Sequence, residues 1–475
     1  MPQQLASAPQ QQLLGGAARV QDGRVAIVDE AALASERMDA LAEQAVFGDD
    51  AERELARWAI WEIGQAVGVR PASIHDLYMA RGRGEVQGFT VPAINVRAAA
   101  YDTMRAIFRT ANRLDAGAFI LEIARSEIAY TEQRPAEYVS VAIAAALREG
   151  FRGPVFIQGD HFQVNAKKWA ADPVTEVNAV KQLAVEAIHA GFYNIDVDTS
   201  TLVDLKQPDH DAQQRPNYTT AVELTRYVRS LEPQGVTISI GGEIGEVGTE
   251  NSTPEELHAF MQGFNRVLQE QAPGMAGLSK ISVQSGTSHG GVVLADGSIA
   301  DVALDLDTLR QLGQLARDDY GMSGAVQHGA STLPDTAFNN FPKTETAEIH
   351  LATNFQNMMY EHIPAELKAE MYRWLDVNAK DERKATDTDG QFYYKARKKA
   401  IGPFKRQLWS LDAATKQKIA AAYDAKFEFL FTQLAVGGTK PHVTRFVHAP
   451  EQHRQMPVNG RPAVEAAPDD ADLSD

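Results

Sequence analysis

The chain has 475 residues, with 63 acidic against 46 basic side chains and a formal net charge of −17. An ordinary apolar fraction of 44% excludes global disorder, and the negative balance argues against a nucleic-acid binder, which needs clustered Lys and Arg. The absence of cysteine excludes disulfides, thiolate metal sites and cysteine nucleophiles, so any metal must be held by His, Asp or Glu.

In chain order, residues 1–29 are Gln-, Ala- and Gly-rich and are expected to be a flexible N-terminus. No basic segment followed by a long apolar one occurs there, and no 18 apolar residues run together, so the reading is cytoplasmic with no membrane contact. From 30 to 84, in SERMDALAEQAVF and AERELARWAIWEIGQAV, apolar residues recur at three- and four-residue spacing, which predicts a helical extension.

From 85 to 360 short apolar runs alternate with amphipathic segments: FTVPAINV, GAFILEI, VFIQGD, YNIDVD, VTISIGGE, LSKISV, GAVQHG and AEIHLAT, with helices expected near 98–113, 136–149, 174–190, 217–231, 254–270, 306–317 and 333–341 and after the last strand. Eight strand–helix units in this length suit a (β/α)8 TIM barrel, whose active site lies at the C-terminal ends of the strands. Periodicity alone leaves a doubly wound sheet open. Residues 361–455 read as a C-terminal helical region and 456–475 as an acidic flexible tail. The basic cluster KARKKAIGPFKR is read as a solvated helix face.

If the strands end as placed, their C-terminal edges carry Asp160, His161, Asp196, Asp198, Glu243, His289 and His328. Each alone could be a satisfied loop residue. Together, three histidines and a carboxylate from different strands make a divalent-metal site with an open position. SGTSHGG and HGAST put small and hydroxyl residues around two of the histidines, where backbone N–H groups can approach a phosphate.

The ordered set VPAINV, GDHF, GFYNIDVDTS, GEIGEVGTE, GTSHGG, QHGAST with LPD, and EIHLAT resembles the class II, metal-dependent fructose-bisphosphate aldolases and their tagatose-bisphosphate relatives. The resemblance implies a barrel enzyme, dimeric or tetrameric, that uses Zn2+, with room for a second divalent or monovalent cation, to cleave a ketose bisphosphate reversibly. The substrate it implies first is fructose 1,6-bisphosphate, in glycolysis or gluconeogenesis. Alternatives are tagatose bisphosphate or another ketose phosphate, or a non-catalytic aldolase-like subunit.

Carried over by position, the resemblance makes His161, His289 and His328 metal ligands. Glu243 then ligates or flanks the metal, and Asp198 lies near a second cation. Asp160 and Glu250 become the catalytic proton carriers. Asn95, Gly290, Gly329, Ser331, His350 and Thr353 become substrate- or phosphate-binding residues. QFYYKAR resembles a Tyr-Tyr-x-x-Arg stretch of long-form relatives and makes Arg397 a candidate for the far phosphate. Three positions depart from the pattern: Ala124 where a hydroxyl is usual, Gln158 where a His is frequent, and Glu348-Ile349-His350 where Lys-x-Asn is common.

Overall fold

The computed structural model describes residues 16–21, 23–245, 250–286 and 304–457. Eight parallel strands form the centre: β1 (Val91–Asn95), β2 (Ile120–Ala124), β3 (Gly153–Gln163), β4 (Asn194–Asp198), β5 (Ser239–Glu243), β6 (Lys280–Val283), β7 (Ala325–Gln327) and β8 (Glu348–Leu351). Each pairs with the next, and β8 returns to β1 with Glu348 opposite Val91, so the sheet closes into a (β/α)8 barrel.

Outside it run α1 (Ala100–Arg113), α2 (Pro135–Arg148), α3 (Pro173–Ala190), α4 (His210–Ser230), α5 (Pro254–Gln271), α6 (Leu306–Asp318) and α7 (Thr353–His362). Their starts follow local chemistry. Asp172 caps the first turn of α3 ahead of Pro173, and Thr253 and Glu256 cap each other at α5 ahead of Pro254.

The helix expected at 333–341 is instead a series of 3-10 turns, Ala330–Thr332, Asp335–Asn340 and Pro342–Thr344. Pro334 and Pro342 bracket the middle turn, and a proline offers no N–H to carry an α-helical ladder past itself.

The N-terminal region differs in two places from a flexible stretch followed by helices. Ala18–Gln21 and Arg24–Ile27 form an antiparallel hairpin, and Val69–Ala72 is a ninth strand added beside the start of β3. The helices Glu36–Phe47 and Asp50–Val67 are present as expected. A further helix, His75–Gly82, closes the N-terminal end of the barrel. Ile74 N–H donates to the Asn194 carboxamide (2.8 Å) there, and the Tyr78 hydroxyl donates to Glu348.

Among the last described residues, 448–457 run without regular structure across Asp50–Val67. Trp58 Nε1 donates to the Arg454 carbonyl (3.1 Å), Glu62 meets His453 Nδ1 (2.7 Å), and the Arg454 guanidinium stacks 3.3 Å above Trp61. Among the described residues, no helix is long and apolar enough to cross a membrane.

Candidate metal centre and active site

Strand alternation sends Asn95, Glu122, Asp160, Asp196, Asp198, Glu243 and His350 into the barrel. At the C-terminal end, β3 shifts register against β4 between Gly159 and Phe162, and His161 there adopts φ 41°. That conformation is costly for a residue with a side chain, and the bulge turns the imidazole toward the mouth.

His161, Glu243 and His328 each offer a donor atom within 4.8 Å of the others. The His161 and His328 rings meet edge-on, with centroids 4.3 Å apart. Such a set of two imidazoles and one carboxylate fits a divalent ion with an open position. Burial, with Asp198 adding to it, pushes the Glu243 carboxyl up to about 8 despite the opposing pull of His161. Burial works against a charged His161, but Asp160 and Glu243 outweigh it and hold the imidazole well above its ordinary value. An ion at this position would replace the protons that such crowding attracts.

Asp160 stands beside this group. Its Oδ1 is 3.8 Å from His161 Nε2 and 3.1 Å from His350 Nδ1, and its Oδ2 accepts from Asn95 Nδ2 (2.8 Å). Burial would raise its carboxyl, but His161 and His350 win and keep it well below the usual range. Asp198 lies behind His161. Its Oδ2 meets His161 Nδ1 (2.8 Å) and accepts from Gln163 (2.6 Å), while its Oδ1 accepts from the Ser200 hydroxyl (2.7 Å). The carboxylate expected at a second cation thus orients the imidazole, and among the described residues no group of metal donors includes it.

A cavity of about 260 Å³ opens over the site. Asn95, Asp160, His161, Gly329, Ser331, His350 and Thr353 line it, as does Ala124. Thr353 opens α7, Gly329 takes φ 67°, and the Ser331 hydroxyl accepts from Ala352 N–H, so small residues and a helix N-terminus share one wall. His289 and Gly290 lie outside the described residues. Glu250 is exposed on the loop after β5 and does not line the cavity.

The sequence model of the family described as fructose-bisphosphate aldolase class-II matches residues 82–408. The chain belongs to that family. The aldolase is therefore a carbon–carbon lyase, and the match runs beyond the 85–360 stretch in which its motifs fall. No curated protein matches it. Among solved structures, a probable tagatose 6 phosphate kinase from Sinorhizobium meliloti 1021 is 16% identical with a TM-score of 0.51, over 75% of this chain and 98% of the other. A fructose-bisphosphate aldolase from Campylobacter jejuni is 18% identical with a TM-score of 0.44, over 76% of this chain and 93% of that one. The first likeness supports the fold alone; the family rests on the sequence match.

Several cavity residues of the aldolase carry no signal in single-sequence reading. Arg97 pairs with Glu127 (2.5 Å) and reaches Thr353 (3.4 Å); Arg125 pairs with Glu176 (2.6 Å). Glu127 also accepts from Asn95 Nδ2 and from Ala124 N–H, which ties β1, β2 and the cavity wall together. Arg397, the expected anion contact, is buried elsewhere: its guanidinium stacks 4.5 Å from Tyr394 and 5.1 Å from Tyr360 and donates to Asn357. The neighbouring Lys398 faces the cavity instead, 5.4 Å over the Tyr130 ring. A one-residue offset on a tight turn separates the two, and sequence spacing does not resolve it.

The departures at β8 also acquire a partner. Glu348 binds the Lys280 ammonium of β6, which also reaches Asp196 (2.9 Å). Gly241 makes room for this crossing: a Cβ there would lie 2.2 Å from Asp196 Oδ1 and 2.8 Å from Lys280 Cε. The cation usual on the eighth strand is thus supplied from the sixth.

Proposed function

We propose that the aldolase cleaves and forms a phosphorylated ketose by a metal-dependent route, with fructose 1,6-bisphosphate as the first substrate and Zn2+ as the ion. The observation that carries this reading is the donor group His161–Glu243–His328, of which His161 lines the cavity, with Asp160 3.8 Å from His161. When bound, the ion supplies positive charge next to the carbonyl that gathers electrons as the carbon–carbon bond breaks.

The remaining work falls to the chain. Asp160, held ionised and fixed by Asn95, takes the proton from the hydroxyl that becomes the aldehyde. Glu250 is proposed as the second proton carrier, returning a proton to the three-carbon fragment. The N-terminus of α7, with Gly329 and Ser331, is proposed to hold the phosphate nearest the metal. Arg97 and Arg125 are already paired, whereas Lys398 has no carboxylate partner among the described residues, which suits it to a distal anionic group.

A different ketose phosphate, tagatose bisphosphate included, is favoured by one observation: Ala124 and His350 both line the cavity where the resemblance leads to expect a hydroxyl and an amide. The test is dihydroxyacetone phosphate release from fructose 1,6-bisphosphate, before and after chelation and with zinc returned. Loss and recovery support the proposal. A zinc-loaded, folded chain that is silent on fructose 1,6-bisphosphate but active on another ketose phosphate replaces the substrate and keeps the site. A homodimer or homotetramer belongs to the same proposal; a monomeric mass by light scattering refutes it.

A further inference from the structure

The proposed reaction gives His350 no chemical task, although its ring stands in the cavity wall. An imidazole has two polar atoms, and here both are taken: Nδ1 bonds to Asp160 Oδ1 (3.1 Å) and Nε2 to Glu348 Oε1 (2.8 Å). Glu122 Oε1 also lies 3.1 Å from Nδ1 but makes no hydrogen bond, so Asp160 is the bonded partner. The ring therefore has no polar atom left for a substrate hydroxyl or phosphate.

The second observation is how Asp160 is held. Asn95 Nδ2 donates to its Oδ2 (2.8 Å). One such contact leaves a carboxylate free to turn about its Cβ–Cγ bond, a torsion with broad wells. The contact from His350 to Oδ1 closes that freedom, and each oxygen still keeps a lone pair for a substrate proton.

His350 is itself braced from below. Glu348 accepts from the Lys280 ammonium, from Gln158 Nε2 (3.0 Å) and from the Tyr78 hydroxyl at the barrel floor. A line of hydrogen bonds thus runs from Tyr78 through Glu348 and His350 to Asp160.

We propose that His350 is a positioning residue: its Nδ1 grips Asp160 Oδ1 and sets the angle at which that carboxylate meets the substrate hydroxyl, with Glu348 as its brace. The role rests on the proton transfer proposed for Asp160. It differs from a substrate contact, which would need a free ring nitrogen.

The test uses two variants of the full, zinc-loaded chain. Asn carries its amide nitrogen on Cγ, as His carries Nδ1, whereas Gln carries it one carbon farther, as His carries Nε2. His350→Asn therefore keeps a donor for Asp160, and His350→Gln keeps one for Glu348. In steady-state cleavage kcat is expected to fall about 10²-fold in His350→Gln, the cost of a misplaced reacting group. The fall in His350→Asn is expected to be only about tenfold, that of one weakened charge-assisted hydrogen bond, with KM and bound zinc unchanged in both. A merely structural role predicts no such order. A Gln variant at least as active as the Asn variant, a loss carried by KM, or a loss that tracks bound zinc overturns the proposal. A second reading needs no turnover. In a chain carrying isotope-labelled histidine, the ring N–H signal missing from whichever His350 variant folds is expected to shift in Asp160→Ala; no shift overturns the grip. A chain silent on every ketose phosphate that still shows the shift keeps the grip and defeats the proposed function instead.

Discussion

The two faces of the same eight strands follow opposite rules. Outward, Leu121, Ile123, Ile157, Ile195, Val197, Ile281, Ile349 and Leu351 are buried apolar side chains packed under the helices. Inward, where barrels of this kind usually stack branched apolar residues, this chain places Glu122, Gln158, Asp196, Lys280, Glu348 and His350. The difference teaches that burial alone does not identify a core. The outer face holds the fold by area removed from water, at roughly 25 cal/mol per Å². The inner face spends stability on fixed charge, since a buried ion pair seldom outperforms an apolar one.

The sharpest test of the division takes Asp160, at the open end of the inner face. Asp160→Ala is expected to lower kcat by about 10²–10⁴-fold, the range of a general acid–base group, while the melting temperature stays near that of the wild type. Steady-state kinetics with a thermal melt reads both. A variant as active as the wild type removes Asp160 from the chemistry.

Next in size is a pair of substitutions on neighbouring faces. Lys280→Met strands Asp196 and Glu348 in the interior and is expected to cost about 3–5 kcal/mol, the range for breaking one partner out of a buried pair. Ile349→Ala, pointing outward from β8, is expected to cost about 2–5 kcal/mol by leaving a cavity. Replacing all of Glu122, Asp196, Lys280 and Glu348 by apolar residues together should recover much of the first loss and none of the second. Denaturant unfolding of the three variants decides whether the inner charges serve the fold or are carried by it.

The barrel floor gives a pH-dependent counterpart. His75 is buried against the floor, and burial, aided by Arg229, lowers its imidazole from the ordinary value to about 4. Between pH 6.5 and 4 the unfolded chain binds a proton there that the folded chain does not, so stability falls as the pH falls through that window. The full shift corresponds to about 3 kcal/mol. His75→Gln is expected to flatten that part of the acid limb in urea unfolding at stepped pH. An identical acid limb in the variant would show that other groups set it.

What the sequence disclosed divides along the same lines. All eight strands are legible because each is a short apolar run, and the outer face produces those runs. The candidate site residues are legible because Asp160, His161, Glu243 and His328 stand at strand ends beside glycines in the sequence. The Lys280–Glu348 pair is not legible: its members stand 68 residues apart and meet only when the barrel closes. Val69–Ala72 is hidden by its length and by Pro71, which reads as a break rather than a strand. The N-terminal hairpin carries a two-residue turn signal, the Asp22-Gly23 pair, whose glycine takes φ 75°. Lys398 rather than Arg397 faces the cavity because a 3-10 turn at Arg397–Ala400 rotates neighbours differently from an α-helix.

The smallest expected effect separates the metal donors from the residues that aim them. Asp198 contacts His161 Nδ1 at 2.8 Å and is itself held by Gln163 and by the Ser200 hydroxyl and N–H, so it orients the imidazole through that nitrogen. Asp198→Asn keeps the size and the Ser200 contact but removes the charge that favours a proton on Nδ1. Metal affinity is expected to fall by about 10–100-fold, the usual cost of losing such a partner, without change in the number of ions bound at saturation. Competition titration against a chelating dye reads the affinity and the stoichiometry together. If the count itself drops, Asp198 is a ligand and the inner face holds one more donor at its mouth than its contacts assign; if affinity is untouched, the bulge alone positions His161.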